Sequence, residues 1–242
     1  MLNELSIIVP VTGATEDIPA FMDSLAGFLM VNPSDMDVIV VANDESDRLD
    51  VLARSVRERF PWLQFHLLER LGAARRFGAL ARFGIAFSTS RYVAIVSPFG
   101  EDDLAVLPKM LAELRKGAQI VQATRYAHPG DAEKVSLRFQ WYQRIYRTCV
   151  RLLLGHAATD STYGYKMFDR VYVQALGLAQ NGYALCPEIT VKGLLGGGRV
   201  AYVPTAPQPA QSSDFRVLRD GPAYAWLLIR GLGHRLGIIS WF

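Results

Sequence analysis

Asp37-Val38-Ile39-Val40-Val41-Ala42 is an unbroken apolar, mostly β-branched run behind a single acid. A strand with one face in water would show polar residues at every second place, and this one does not. It reads as a strand covered on both faces, the habit of parallel sheets. Outward from it the pattern repeats. Leu5-Ser6-Ile7-Ile8-Val9-Pro10, Gln64-Phe65-His66-Leu67-Leu68 and Tyr92-Val93-Ala94-Ile95-Val96 are further strands, and Gln119 to Tyr126 is another. Between them lie stretches with apolar residues at helical spacing: Glu16 to Met30, Leu49 to Phe60, Gly72 to Phe87, and one beginning near Asp103. The alternation predicts an α/β fold, with a mainly parallel central sheet, helices on both faces and right-handed crossovers. Ligands of such sheets bind beyond the carboxyl ends of the strands. The loops after Pro10, Ala42 and Val96 are therefore the first places to look for chemistry.

After Tyr126 the pattern changes. Asp131 to Leu154 predicts one long helix with Trp141, Tyr142, Ile145, Tyr146, Cys149 and Leu153 at helical spacing. From Glu133 to Leu152 its basic residues are Lys134, Arg138, Arg144, Arg147 and Arg151, against the single acid Glu133. An aromatic face beside a basic one suits a helix lying on an anionic membrane surface. An ordinary amphipathic helix with a solvated basic side fits equally well. Phe215 to Phe242 repeats the mixture, with Arg219, Arg230 and Arg235 among Trp226, Ile229, Ile238 and Trp241. Surface docking and packing against a second copy in a homo-oligomer are its two readings. Residues 1–210 are expected as one domain and 211–242 as an amphipathic C-terminal tail, with the Gln208–Asp214 stretch as a loop.

Of 242 residues, 50% are hydrophobic and 20% charged, enough to bury a core and too apolar for disorder. A net charge of +3 gives no ground for nucleic-acid binding. Cys149 and Cys186 stand far apart in no metal spacing, which suits a reducing compartment. No signal-peptide pattern opens the chain. No run approaches the roughly 18 uncharged apolar residues that span a bilayer. The expected location is cytoplasmic, at most peripheral to a membrane. His66, His128, His156 and His234 form no spacing that suggests a metal site or a triad.

Several segments taken in order carry a family pattern. They are Ser6-Ile7-Ile8-Val9-Pro10-Val11, Val40-Val41-Ala42-Asn43-Asp44-Glu45-Ser46, Gly78 to Ala86, Leu107-Pro108, Ala123-Thr124-Arg125-Tyr126 and Tyr163 to Arg170. Glu188-Ile189, Arg199 to Pro204 and Leu218-Arg219-Asp220-Gly221 continue it. Over nearly the whole chain this order resembles a family 2 glycosyltransferase, in particular the dolichol-phosphate mannose synthase-like group. The resemblance implies a GT-A fold and a nucleotide-sugar donor of the UDP, GDP or TDP type. It implies an acceptor such as a polyprenyl phosphate, with sugar transfer as the activity. It also assigns residues. Pro10, Val11, Asn43, Asp44, Arg82, Ser97 and Phe99 fall on donor-binding positions. Arg125, Arg138 and Lys166 fall on basic positions near the diphosphate or acceptor phosphate. Asp160 and Glu188 are the candidate catalytic acids or bases; an Asx cap before the Tyr163-Gly164-Tyr165 turn and a helix-start charge are their local alternatives.

The chain departs from the family pattern at three places together. Thr12-Gly13-Ala14 lacks the acid that often follows the first strand. Asn43-Asp44-Glu45 stands where Asp-Asp-Gly is usual, and the family's Asp-x-Asp falls on Ser97-Pro98-Phe99. Mg²⁺ and Mn²⁺ want carboxylate oxygens, which a hydroxyl and a phenyl ring do not supply. No metal cofactor is expected, unless Glu101 and Asp102 build a rearranged site; Asp102-Asp103 also reads as a helix cap. With the metal ligands changed, Arg125, Arg138 and Lys166 are expected to neutralise the diphosphate in part. Two functions stay open: a glycosyltransferase with an altered mechanism, and a catalytically inactive relative that binds a partner or ligand.

Overall fold

The computed structural model describes residues 3–12, 18–32, 35–42, 47–70, 76–125, 137–156, 158–206 and 217–242. Seven strands, β1 (Leu5–Val11), β2 (Met36–Ala42), β3 (Gln64–Glu69), β4 (Tyr92–Ile95), β5 (Ile120–Thr124), β6 (Lys166–Asp169) and β7 (Val200–Pro204), make one sheet in the order β3-β2-β1-β4-β6-β5-β7. All neighbours run parallel except β6, which is antiparallel to β4 and to β5. The predicted mainly parallel α/β sheet is the one observed. The start of β6 thus lies at the same edge as the carboxyl ends of β4 and β5, with Lys166 opposite Ile95 and Gln122.

Among the described residues eight α-helices connect and cover the strands: α1 (Ile18–Val31), α2 (Asp47–Arg59), α3 (Phe77–Phe87), α4 (Leu107–Arg115), α5 (Leu137–Leu154), α6 (Arg170–Ala175), α7 (Leu185–Leu195) and α8 (Val217–Arg235). Strand periodicity sorts their cores. Leu5, Ile7, Val9, Val38 and Val40 point to the face under α1, α2 and α4, while Ile8, Ile39 and Val41 point to the face under α3 and α7. The helix foreseen from Gly72 begins at Phe77 within the described residues, and that foreseen from Asp131 begins at Leu137; residues 71–75 and 126–136 lie outside them.

A third apolar cluster forms beside the sheet, where Tyr146, Val150 and Leu154 of α5 meet Val191 of α7 and Leu227 and Leu228 of α8. The face of α5 that reads as amphipathic in the sequence is thus half covered by α8. Close approach also fixes α3. A Cβ on Gly84 would lie 2.7 Å from Ile8 Cγ2, and one on Gly78 2.5 Å from the carbonyl oxygen of Gly182.

Candidate functional site

Beyond the carboxyl ends of β4 and β5 lies a cavity of about 370 Å³. Its floor is Ile95, Ser97, Phe99 and Glu101 from the segment after β4, with Arg125 from the end of β5. α5 supplies Tyr142, Gln143, Ile145, Tyr146 and Cys149, and α8 supplies Gly221, Tyr224, Ala225 and Leu228. Phe77 at the start of α3 stacks on Tyr183, with ring centroids 5.2 Å apart, and the pair closes another side. The wall is aromatic and apolar, with one carboxylate and one guanidinium.

Those two charges are held by a chain of contacts. Asp160 is fully buried and takes Arg125 in a fork: Nε to Oδ2 at 2.8 Å and Nη2 to Oδ1 at 3.0 Å. The guanidinium lies 4.2 Å from the centroid of the Tyr163 ring. The Tyr163 hydroxyl lies 2.6 Å from Asp102 Oδ1 and 2.9 Å from the Glu101 carbonyl oxygen. One hydroxyl proton cannot serve two acceptors, so the geometry is satisfied when Asp102 carries a proton of its own. Burial, aided by the neighbouring Glu101 charge, pushes the Asp102 carboxyl up to about 8, in agreement. Its other oxygen accepts the Ser97 N–H at 2.7 Å. Burial also raises the Glu101 carboxyl, against a hydrogen bond from Ser97 and the charge of Arg125.

Asp103, rather than Asp102, caps the following turn: its side chain accepts the Ala105 N–H at 3.0 Å, ahead of the 3-10 turn Leu104–Val106 and α4. Asp102 turns inward, which leaves Glu101 as the one acid on the cavity wall among the described residues. The Ser97 hydroxyl accepts the Phe99 N–H at 3.3 Å. Among the described residues the cavity wall offers a divalent cation one carboxylate, beside a guanidinium that repels it, where Mg²⁺ would take its remaining oxygens from water and phosphate. No group of three His, Cys, Asp or Glu side chains able to hold a metal occurs among the described residues.

Of the residues singled out in the sequence, Ser97, Phe99, Glu101 and Arg125 meet at the cavity, with Asp160 and Asp102 directly behind the wall. Pro10 and Val11 end β1 at the same edge of the sheet. Asn43 and Asp44 lie outside the described residues, as does the side chain of Arg138. Three others stand apart. Lys166 is fully buried, donates to Ser161 O at 3.2 Å and Thr190 Oγ1 at 2.9 Å, and is pushed by burial down to about 8. It backs the segment carrying Asp160 and Tyr163 and presents no charge to the cavity. Glu188 sits in the first turn of α7, fully buried, accepting the N–H groups of Ala179 at 3.1 Å and Gln180 at 2.9 Å, with Lys192 Nζ at 3.5 Å. Arg82 donates to Ala179 O and Asn181 Oδ1, each at 3.1 Å, and lines a separate cleft with Arg70 and Gln174. Glu188 and Arg82 therefore clamp the segment 179–181 from two sides, and so place Tyr183 on Phe77. Phe77, Gln143, Tyr146, Thr162, Tyr183 and Tyr224 escaped the sequence reading as site residues; Tyr146 reads there as part of the aromatic face of an amphipathic or membrane-surface helix.

A family model described as glycosyl transferase family 2 matches residues 6–177. A curated relative, the bactoprenol glucosyl transferase of Shigella phage SfX, is 21% identical over 145 residues. The match covers 59% of this chain and 46% of the relative, so the chain spans about half the length of the curated relative it matches. Among solved structures, glucosyl-3-phosphoglycerate synthase of Mycobacterium tuberculosis in complex with phosphoglyceric acid superposes with a TM-score of 0.63 at 15% identity, covering 98% of this chain and 81% of that one. The same synthase with Mn²⁺, UDP-glucose and phosphoglyceric acid gives 0.61 at 14% identity, over 98% and 81%. A further mycobacterial protein gives 0.65 at 16%, over 98% and 76%. At these identities the likeness is one of fold, and the fold is GT-A.

Proposed function

The chain belongs to glycosyl transferase family 2, and we propose that it transfers a sugar from a nucleotide-sugar to an acceptor held in the aromatic cavity, without a divalent metal at the end of β4. The carrying observation is the composition of the cavity among the described residues: one carboxylate, Glu101, and one guanidinium, Arg125, on a wall otherwise of aromatic, apolar and neutral polar side chains at the carboxyl ends of β4 and β5. Structural relatives hold UDP and UDP-glucose, which supports a nucleotide-sugar donor. The phage relative acts on bactoprenol by its name, which supports a lipid-phosphate acceptor.

In this reading the acceptor oxygen attacks the anomeric carbon and the bond to the diphosphate breaks. Arg125, aimed by Asp160 and the Tyr163 ring, offsets charge gathering on the leaving diphosphate. Glu101 as the carboxylate, made more basic by burial, takes the proton of a hydroxyl acceptor; a phosphate acceptor needs no such step. A second reading, binding without turnover, is favoured by the internal commitment of two groups: Asp102 to Tyr163 and Ser97, and Arg125 to Asp160.

Thermal unfolding with UDP-, GDP- and TDP-sugars, each with and without Mn²⁺, tests both. At a hundredfold excess over Kd, one nucleotide class should raise the midpoint by roughly 5–10 °C, equally in Mn²⁺ and in chelator. A shift that requires Mn²⁺ would overturn the metal-free mechanism, and silence across the panel would overturn donor binding. A shift with no nucleoside diphosphate released in the presence of polyprenyl phosphate would favour the second reading.

A further inference from the structure

Two buried polar atoms on residues of the cavity wall have no hydrogen-bond partner among the described residues: Gln143 Oε1 and the Tyr146 hydroxyl. Both residues line the cavity, and both are more than nine-tenths buried, at 5% and 9% exposure. They stand three residues apart on α5 and so share one face of the helix. Gln143 is not loose, since its Nε2 donates to Thr162 Oγ1 across the cavity rim. Whichever way the amide is turned, one of its two ends is left over. Tyr146 is likewise fixed, edge-on to Tyr224 with centroids 5.6 Å apart. A buried donor or acceptor without a partner is costly, and native proteins keep few of them. Two on one helix face, in one cavity, point to a ligand that completes them.

From this geometry we propose that Gln143 and Tyr146 form a hydroxyl-reading pair, which fixes one neutral hydroxyl of a carbohydrate ring lying in the aromatic cavity. The inference rests on reading this cavity as the substrate site. An alcohol satisfies both atoms at once: its O–H donates to Gln143 Oε1 while its oxygen accepts the Tyr146 O–H. With Nε2 on Thr162, as the amide stands, an anionic oxygen would meet the lone pairs of Oε1 head-on. A hydrocarbon chain would leave both atoms unpaired. Burial pushes the Tyr146 phenol up, so it keeps its proton to donate. Tyr142, Tyr183 and Tyr224 add aromatic surface to the same cavity, which suits the C–H groups of a sugar. The pair therefore reads carbohydrate, from either of two sources: the sugar of the donor, or a glycosyl group on the acceptor.

Tyr146→Phe in the full chain tests this, with calorimetric titrations of UDP, UDP-glucose, octyl β-D-glucoside and octyl phosphate. The phenylalanine loses an unpaired hydroxyl and little else, so the midpoint of the unliganded chain should rise. If the donor sugar fills the subsite, UDP-glucose should weaken about tenfold while UDP is unchanged. If the acceptor fills it, octyl glucoside should weaken by a similar factor while octyl phosphate is unchanged. Gln143→Met should reproduce whichever pattern appears. Unaltered binding of every probe that the wild type takes up, or a lowered midpoint in Tyr146→Phe, would overturn the pair while UDP binding keeps the transferase reading intact. A wild type that takes up octyl glucoside but neither UDP nor UDP-glucose, and loses it in Tyr146→Phe, would support the pair and refute the nucleotide-sugar donor. A wild type that takes up none of the four would overturn both.

Discussion

Asp102 is an acid whose surroundings ask it to be neutral. Buried, beside Glu101, and sharing the Tyr163 hydroxyl with a backbone carbonyl, it holds the Ser97 loop by accepting the Ser97 N–H. The consequence for pH has a definite sign. In the unfolded chain an aspartate releases its proton near pH 4, at about 3.9, whereas in the fold it does so at about 8. Between those values the folded chain holds a proton that the unfolded chain has lost, so raising the pH favours unfolding. This contribution is complete below pH 4 and gone above pH 8. Asp102→Asn supplies a permanent donor in the same place, through its amide nitrogen. Urea midpoints measured from pH 5 to 8 should fall in the wild type and stay closer to level in the variant. Parallel curves for the two proteins would show that Asp102 is ionised throughout. Residue type alone could not have revealed this state: in the sequence Asp102 looks like half of a cap, and only the position of Tyr163, far along the chain, says otherwise.

At the scale of elements, the segment 179–183 shows how the wall is set. It is gripped by Glu188 from α7, by Arg82 from α3 and by the Ala79 N–H, which donates to Asn181 O at 2.9 Å. Gly78 lets α3 lie against it, where a methyl group would meet two backbone carbonyls at 2.5 and 2.7 Å. Backbone cannot swing aside as a side-chain tip can. Gly78→Ala should therefore cost about 1–3 kcal/mol in urea unfolding and loosen the Phe77–Tyr183 stack. An unchanged urea midpoint would mean that the segment gives way freely. Strands β1, β2 and β4 were legible in the sequence because parallel strands buried on both faces are continuous apolar runs. β6 was not: it is four residues long, opens on a buried lysine and runs antiparallel. Its pairing comes from contacts far along the chain, which local pattern does not carry. The same reason hid the roles of Lys166 and Glu188, whose partners include backbone atoms of loops.

For the whole molecule, α5 and α8 form one flank. α5 exposes Leu137, Trp141, Ile145 and Leu152, and α8 exposes Trp226 and Ile229. Arg144 and Arg151 lie among them, and α5 holds no acid. No helix among the described residues is long and apolar enough to cross a membrane. A surface rich in exposed tryptophan and arginine suits the headgroup region of an anionic bilayer, and the cavity edge at Tyr142 and Ile145 reaches this flank. Flotation with phosphatidylglycerol vesicles should recover the protein, less in high salt, and Trp141→Ala with Trp226→Ala should weaken partitioning about tenfold. Equal recovery with neutral vesicles would remove the electrostatic part of this picture, and no recovery the whole of it. The basic and aromatic composition of both segments was plain in the sequence. Their adjacency, and the cavity between them, was not, because it depends on α8 returning across α5.

That return has a consequence for the order in which the protein is made. The cavity joins Tyr142 to Leu228, and a ribosome adds roughly 5–20 residues per second. For several seconds after Tyr142 emerges, α5 has no α8 to cover it. Its aromatic face, with the Gln143 and Tyr146 groups, is then open to water and to chaperones. Strands β1 to β4 can pair before the cavity exists, and the cavity is not closed until α8 arrives.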